Sequence, residues 1–173
     1  MILTSFDPGK VASYAVFDTS RPWEIEVGEV RQIGVGRELR PCGIHIRGLV
    51  SASDQALVEK VGAMPGQGVT SMLTFGMCYG AIMGAISALE VPLERVSPQD
   101  WKSGSRIGAL KDDAAKNAAR AYAKELWPQH AALFDVKKNH GMAEAGLMAR
   151  WYFLKGPGRD IAMDEACPVR RSA

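Results

Sequence analysis

The hydrophobic pattern changes period along the chain. Over the first 30 residues it alternates. Ile2, Thr4 and Phe6 fall on one face of an extended segment, and Leu3, Ser5 and Asp7 on the other. Pro8-Gly9 ends that run. Ala12, Tyr14 and Val16 then alternate with Val11, Ser13, Ala15 and Phe17. The polar turn "DTSRP" follows, and "WEIEVGEV" alternates again. Three short strands joined by turns predict an antiparallel meander. Beyond it the pattern lengthens. Residues 31–40 predict a loop, and about 42–51 a short helix with Ile46, Leu49 and Val50 inward. "QALVEKV" (55–61) predicts a strand carrying Glu59 near its end, and 62–68 a Gly/Pro loop. A helix over 69–89, a strand over 94–98 and a polar, basic loop over 99–109 come next. Leu110, Ala114, Ala118, Tyr122 and Leu126 form an apolar stripe that predicts a helix over 110–126. A last helix covers about 140–154, with Ala143, Leu147, Trp151 and Leu154 as its stripe.

Strands in a meander, followed by strands alternating with helices, predict an α/β fold: a mixed sheet flanked by helices. Strands joined through a helix are expected to be parallel, with right-handed crossovers. The 173 residues suit one domain over 1–155, with a loosely ordered tail over 156–173.

Bulk composition narrows little. Hydrophobic content of 47% and charged content of 23% are those of a globular protein, and a net charge of +2 does not by itself announce nucleic acid. Cys42, Cys78 and Cys167 are far apart and odd in number, which argues for reduced thiols, no disulfide framework and no zinc site. The N-terminus lacks the charge and length pattern of a signal peptide, and a cytoplasmic location is expected. Segment 69–89 is apolar but carries Gly76, Gly80 and Gly84, and reads as a buried helix rather than a membrane span.

Candidate chemistry lies in the acids. Asp7 ends the first strand and Glu59 lies near the end of another. If these strands are parallel neighbours, both carboxylates emerge at one rim, where ligands of α/β sheets bind. Two close carboxylates repel unless a proton or a cation sits between them, and an all-oxygen site suits magnesium or manganese. "KKNHGMAEAGLMARWYF" (137–153) offers a third acid: Asn139 is a candidate N-cap, and His140 and Glu144 are four apart on one helix face. Taken singly, Asp7 also reads as a turn residue, and Glu59, His140 and Glu144 as surface positions.

Four blocks, in order, resemble the RuvC-type Holliday-junction resolvases, most closely phage-like members. "ILTSFDPGKVASYAVFD" resembles the opening strand-turn-strand, and "ALVEKVGAMPGQGVTSMLTFG" the second acid-bearing block. "RVSPQDWK" resembles the strand before a P-x-x-W-K loop, and "NHGMAEAGLMA" the last acid-bearing helix start. Together they span roughly residues 1–154. The resemblance implies a ribonuclease-H-like fold with a five-stranded sheet, three strands antiparallel and the rest parallel. It also implies a homodimer and magnesium-dependent hydrolysis of four-way or other branched DNA by two metal ions, leaving 5′-phosphate and 3′-hydroxyl ends. It puts Asp7, Glu59 and Glu144 at the metal-binding acids, with His140 or Asn139 at a fourth position. His140 there can bind metal, orient water or take its proton.

Lys102, Arg106, Lys116, Arg120, Lys137 and Lys138 are the candidate DNA contacts, with Lys124 continuing the row on the helix. Met64 and Gln67 lie in a loop that could probe an opened junction. Three glycines at 76, 80 and 84 share one helix face and cost roughly 1 kcal/mol each relative to Ala, so a close approach should compensate. That approach is either an internal core contact or the dimer interface, and the resemblance favours the second. Two other functions stay open: a non-catalytic junction binder, and a phosphotransferase of the actin-like ATPase group, which shares an Asp-x-Gly turn but needs a second lobe.

Overall fold

The computed structural model describes residues 1–36, 39–62, 66, 68–103, 105–108 and 110–155. Met64, Gln67, Cys167 and the tail over 156–173 lie outside the described residues. The alternating segments form β1 (Ile2–Asp7), β2 (Ser13–Asp18) and β3 (Glu26–Glu29), a meander paired antiparallel. β6 (Gln55–Glu59) pairs parallel with β1, and β7 (Leu93–Val96) parallel with β6. The sheet order is β3-β2-β1-β6-β7, so the two acid-bearing strands, β1 and β6, are central neighbours.

Each face of the sheet has its own core. On one, Phe6, Tyr14, Ala56 and Val58 pack with Ile46 and Val50 of α1 (Gly43–Val50) and with Cys78, Ile82 and Ile86 of α2 (Val69–Ser87). On the other, Leu3, Phe17 and Leu57 pack under α4 (Asp112–Leu126) and α6 (His140–Lys155). The period-2 parity of β1 puts Asp7 on the side of Leu3 and Ser5, and the parity of β6 puts Glu59 on the side of Leu57. Both acids therefore face α6. That helix is buried almost without interruption from Gly141 to Ala149. Small residues let it sit close. A Cβ on Gly146 would lie 2.9 Å from Ile25 and 3.2 Å from Trp127.

Several sequence expectations need correction. The loop expected over 99–109 opens as a helix, α3 (Pro98–Ser103), with Ser97 at its start accepting the Asp100 amide at 3.2 Å. The loop expected over 31–40 contains a small antiparallel pair, β4 (Gln32–Ile33) with β5 (Arg40–Pro41). The stripe of α4 is rotated by one residue: Ala115, Ala119 and Ala123 are buried, whereas Leu110 is exposed. Three alanines lie flat against α6, and bulkier Tyr122 and Leu126 flank them. Residues 127–139, unassigned from sequence, fold as short helical turns around α5 (Ala131–Asp135), pinned by buried Trp127 and Phe134.

Helix α2 is not the buried helix the sequence suggests. By length and composition it could cross a bilayer, and only 17% of its apolar stretch is buried among the described residues. It is a crossover between two parallel strands of the same sheet, and its inner residues cover Phe6 and Val58. Its outer face carries Val69, Leu73 and Met77, all exposed. A Cβ built on Gly76, Gly80 or Gly84 would meet nothing within 4 Å among the described residues, so the glycines do not serve an internal core contact there.

Candidate active site

The site is assembled where β1 and β6 end. Phe6 is registered with Val58, so Asp7 and Glu59 follow one step later on adjacent parallel strands. Glu144 reaches the same rim from the second turn of α6. It is 8% exposed, which fits the acid-cluster expectation and not the surface position that it suggests when taken alone. The residue of α6 that lies against Asp7 is Gly141. A Cβ there would stand 2.7 Å from Asp7 Oδ2 and 2.7 Å from Ser13 Oγ. Only glycine lets the first turn of the helix come so near the carboxylate. Ser5 fixes the helix from the sheet side by donating its hydroxyl to the Ala145 carbonyl at 2.7 Å.

Helix α3 closes the opposite wall. Trp101, 1% exposed, donates its indole N–H to Glu59 Oε1 at 2.9 Å. Its neighbour Lys102 places Nζ 3.4 Å from Glu144 Oε1 and 5.0 Å from the Trp101 ring centre. Neither residue is the solvated loop group expected from "QDWKSGSRIG". The helix start was legible in Ser97-Pro98, a capping residue followed by proline. Gly141 had no comparable signal.

The electrostatics are those of crowded acids. Burial first, then the charges of Glu59 and Glu144, hold the Asp7 carboxyl well above the usual carboxylate range. Lys102 and Lys116 pull it back. Burial also pushes Glu59 up. The Trp101 N–H opposes this, the Glu144 charge adds to it, and Lys102 opposes it again. The three carboxylates thus feel one another. The donor set fits a hard divalent cation, since carboxylate oxygens are its preferred ligands and such an ion would relieve their repulsion. As the side chains stand, no three His, Cys, Asp or Glu among the described residues converge closely enough to share one ion.

The other candidates are placed as follows. His140 opens α6 and is partly buried. Asn139 is buried and donates Nδ2 to the Leu133 carbonyl at 2.9 Å, so its amide ties α5 to α6 and is not an N-cap. Lys116 is exposed on α4, close enough for its charge to act on Asp7. Arg120 donates to the carbonyls of Phe134 and Asp135 and to Asn117 Oδ1. Lys124 pairs with Asp135, Lys137 with Asp113, and Arg106 with Glu125. Lys138 is exposed beside the start of α6.

No protein-family model matches the chain. A Holliday junction resolvase, MOC1 of the chloroplast, from Chlamydomonas reinhardtii, is 29% identical over 94 residues. That stretch is 54% of this chain and 10% of that protein, so the chain spans a small part of the relative it matches. Among solved structures, RuvC of T. thermophilus in complex with a Holliday junction substrate superposes with a TM-score of 0.58 at 16% identity. The match covers 92% of this chain and 98% of that one. A central β1–β6 pair, a meander on one side of it and helices over both faces make the architecture ribonuclease-H-like, and the chain has the fold of the RuvC-type resolvases.

Proposed function

We propose that this protein is a magnesium-dependent endonuclease selective for four-way or closely related branched DNA. The observation that carries the reading is the convergence of Asp7, Glu59 and Glu144 on one rim, with two of the three carboxyls pushed toward protonation by burial and by one another. Acids held this way are poised to take up cations. Asp7, Glu59 and Glu144 would hold the ions, with His140 as the candidate for a fourth position. Bound there, divalent ions would supply Lewis-acid stabilisation of charge on phosphate oxygens and an activated water.

The chain's own groups do the rest. Gly141 leaves free the space that Asp7 Oδ2 and Ser13 Oγ occupy against α6. Trp101, buried, orients Glu59 through its indole N–H. Lys116 and Lys138 stand exposed, where they can meet backbone phosphates. The expected products carry 5′-phosphate and 3′-hydroxyl ends.

Paired cuts in a symmetric junction require two sites, which a twofold dimer supplies. We assign its interface to the outer face of α2. There Val69 and Leu73 are 84% and 65% exposed, and the glycines leave room for a second helix.

The test is nicking of a synthetic four-way junction in Mg²⁺ or Mn²⁺. The expected result is cleavage by the native chain. Glu144→Gln should lose more than about 100-fold in rate while still binding the junction. Binding without cutting by the native chain, in either ion, would replace this reading with that of a non-catalytic junction binder.

A further inference from the structure

Helix α3 touches two of the acids at once, through consecutive residues. Trp101 holds Glu59 by a hydrogen bond, and Lys102 holds Glu144 by an ion pair. The Lys102 side chain is only 23% exposed, its ammonium resting over the Trp101 ring. Its charge also acts on Asp7 and Glu59, so one ammonium serves all three carboxylates. The acids, meanwhile, are not drawn together tightly enough to share a single ion.

We infer that Lys102 is the resident counter-ion of the acid cluster, and that binding of a divalent cation displaces it. This rests on the metal-dependent reading proposed above. An ammonium 3.4 Å from Glu144 and a divalent cation on the same carboxylate would repel strongly in so poorly solvated a place. Displacement is structurally cheap. The lysine needs only rotate its four-carbon stem away from the Trp101 ring, and no backbone has to move. Trp101, locked in the core, stays and keeps Glu59 in position. The exchange gives the cluster a charge partner at all times. It lets the three acids fold beside one another before any metal arrives, and it returns Lys102 to solvent when metal binds.

Two measurements on the full chain test this. In the first, lysines are acetylated in chelator and in saturating Mg²⁺, and each site is followed by mass spectrometry. Lys102 should react roughly threefold faster or more with Mg²⁺ bound, as a freed ammonium would. Exposed Lys60 and Lys10 should not change. An unchanged or slower Lys102 overturns the inference. In the second, Mn²⁺ affinity is read by electron paramagnetic resonance on native protein and on Lys102→Met, which keeps the apolar stem over Trp101. The variant should bind Mn²⁺ about tenfold more tightly, having no ammonium to displace. Equal or weaker binding overturns the inference. If Lys102→Met does not fold, Lys102→Gln and the labelling of the native chain decide. Absence of Mn²⁺ binding by both proteins overturns the metal reading itself, a result distinct from equal binding.

Discussion

The surroundings of Asp7 oppose a charge on its carboxyl. Burial and two neighbouring carboxylates raise its pKa, so between the unfolded value and the raised one the folded chain binds the proton the unfolded chain has released. Its contribution to stability is therefore full at acid pH, below the unfolded value, and is lost as pH rises through the folded value. Asp7→Asn removes that burden. The variant should melt a few degrees above the native chain at pH 7 in chelator, with the gain vanishing near pH 3, and should show no cleavage. A variant melting lower at pH 7 would contradict the assigned electrostatics. Gly141→Ala tests the opposite wall. Its methyl group would need the space of Asp7 Oδ2 and Ser13 Oγ, each 2.7 Å away, so the carboxylate must shift. A displacement of that order should lower junction cleavage by about 100-fold. Junction affinity, on the proposal that exposed lysines outside the acid cluster carry it, should hold. Asp7 and Glu59 were legible in the sequence because strand parity and parallel pairing fix where an acid emerges. Gly141 was not, because its necessity depends on how closely α6 approaches the end of β1, a tertiary distance with no local pattern.

Helix α2 shows where period alone misleads. Its composition predicts burial, yet only Cys78, Ile82 and Ile86 are buried, a narrow inner stripe. Tyr79, Met83 and Ala85 flank that stripe, while Val69, Leu73, Met77 and the glycines face outward. An apolar helix and a helix apolar for two different partners look alike in sequence. The two possibilities differ in their response to mutation. On an isolated chain, Gly80→Ala should stabilise by up to about 1 kcal/mol, since the new methyl meets no atom of the described residues. In a dimer with helices in close contact, Gly80→Leu should split the copies, and light scattering should read the monomer mass. A Gly80→Leu protein that retains the dimer mass contradicts the α2 interface. Helix α3 was hidden for another reason. Its glycine- and serine-rich continuation has the composition of a loop, although Ser97-Pro98 and Asp100 are start signals. The β4–β5 pair contributes two residues per strand, too few for alternation to register.

At the scale of the whole molecule, topology was the most legible feature. A meander followed by two strands reached through crossovers leaves few arrangements, and the order β3-β2-β1-β6-β7 is the one that makes Asp7 and Glu59 neighbours. Charge was the least legible, because a net +2 says nothing of which cations are free to meet DNA. The structure separates them by what they already hold. Arg120 gives its guanidinium to two carbonyls and to Asn117, and so braces α4 against the 134–135 segment. Lys116 and Lys138 are exposed near the acids and their helix. The two kinds should part in a salt titration of junction binding. Lys116→Ala and Lys138→Ala should each make the slope of log affinity against log salt shallower by roughly 0.9, the value for one phosphate contact on duplex arms, with melting temperature unchanged. Arg120→Ala should leave that slope as it is and lower the melting temperature by several degrees, because it takes the charged donor from the part-buried Phe134 carbonyl. A shallower slope for Arg120→Ala at unchanged stability would mean that the guanidinium leaves its carbonyls for DNA, and that α4 meets the junction along its whole length.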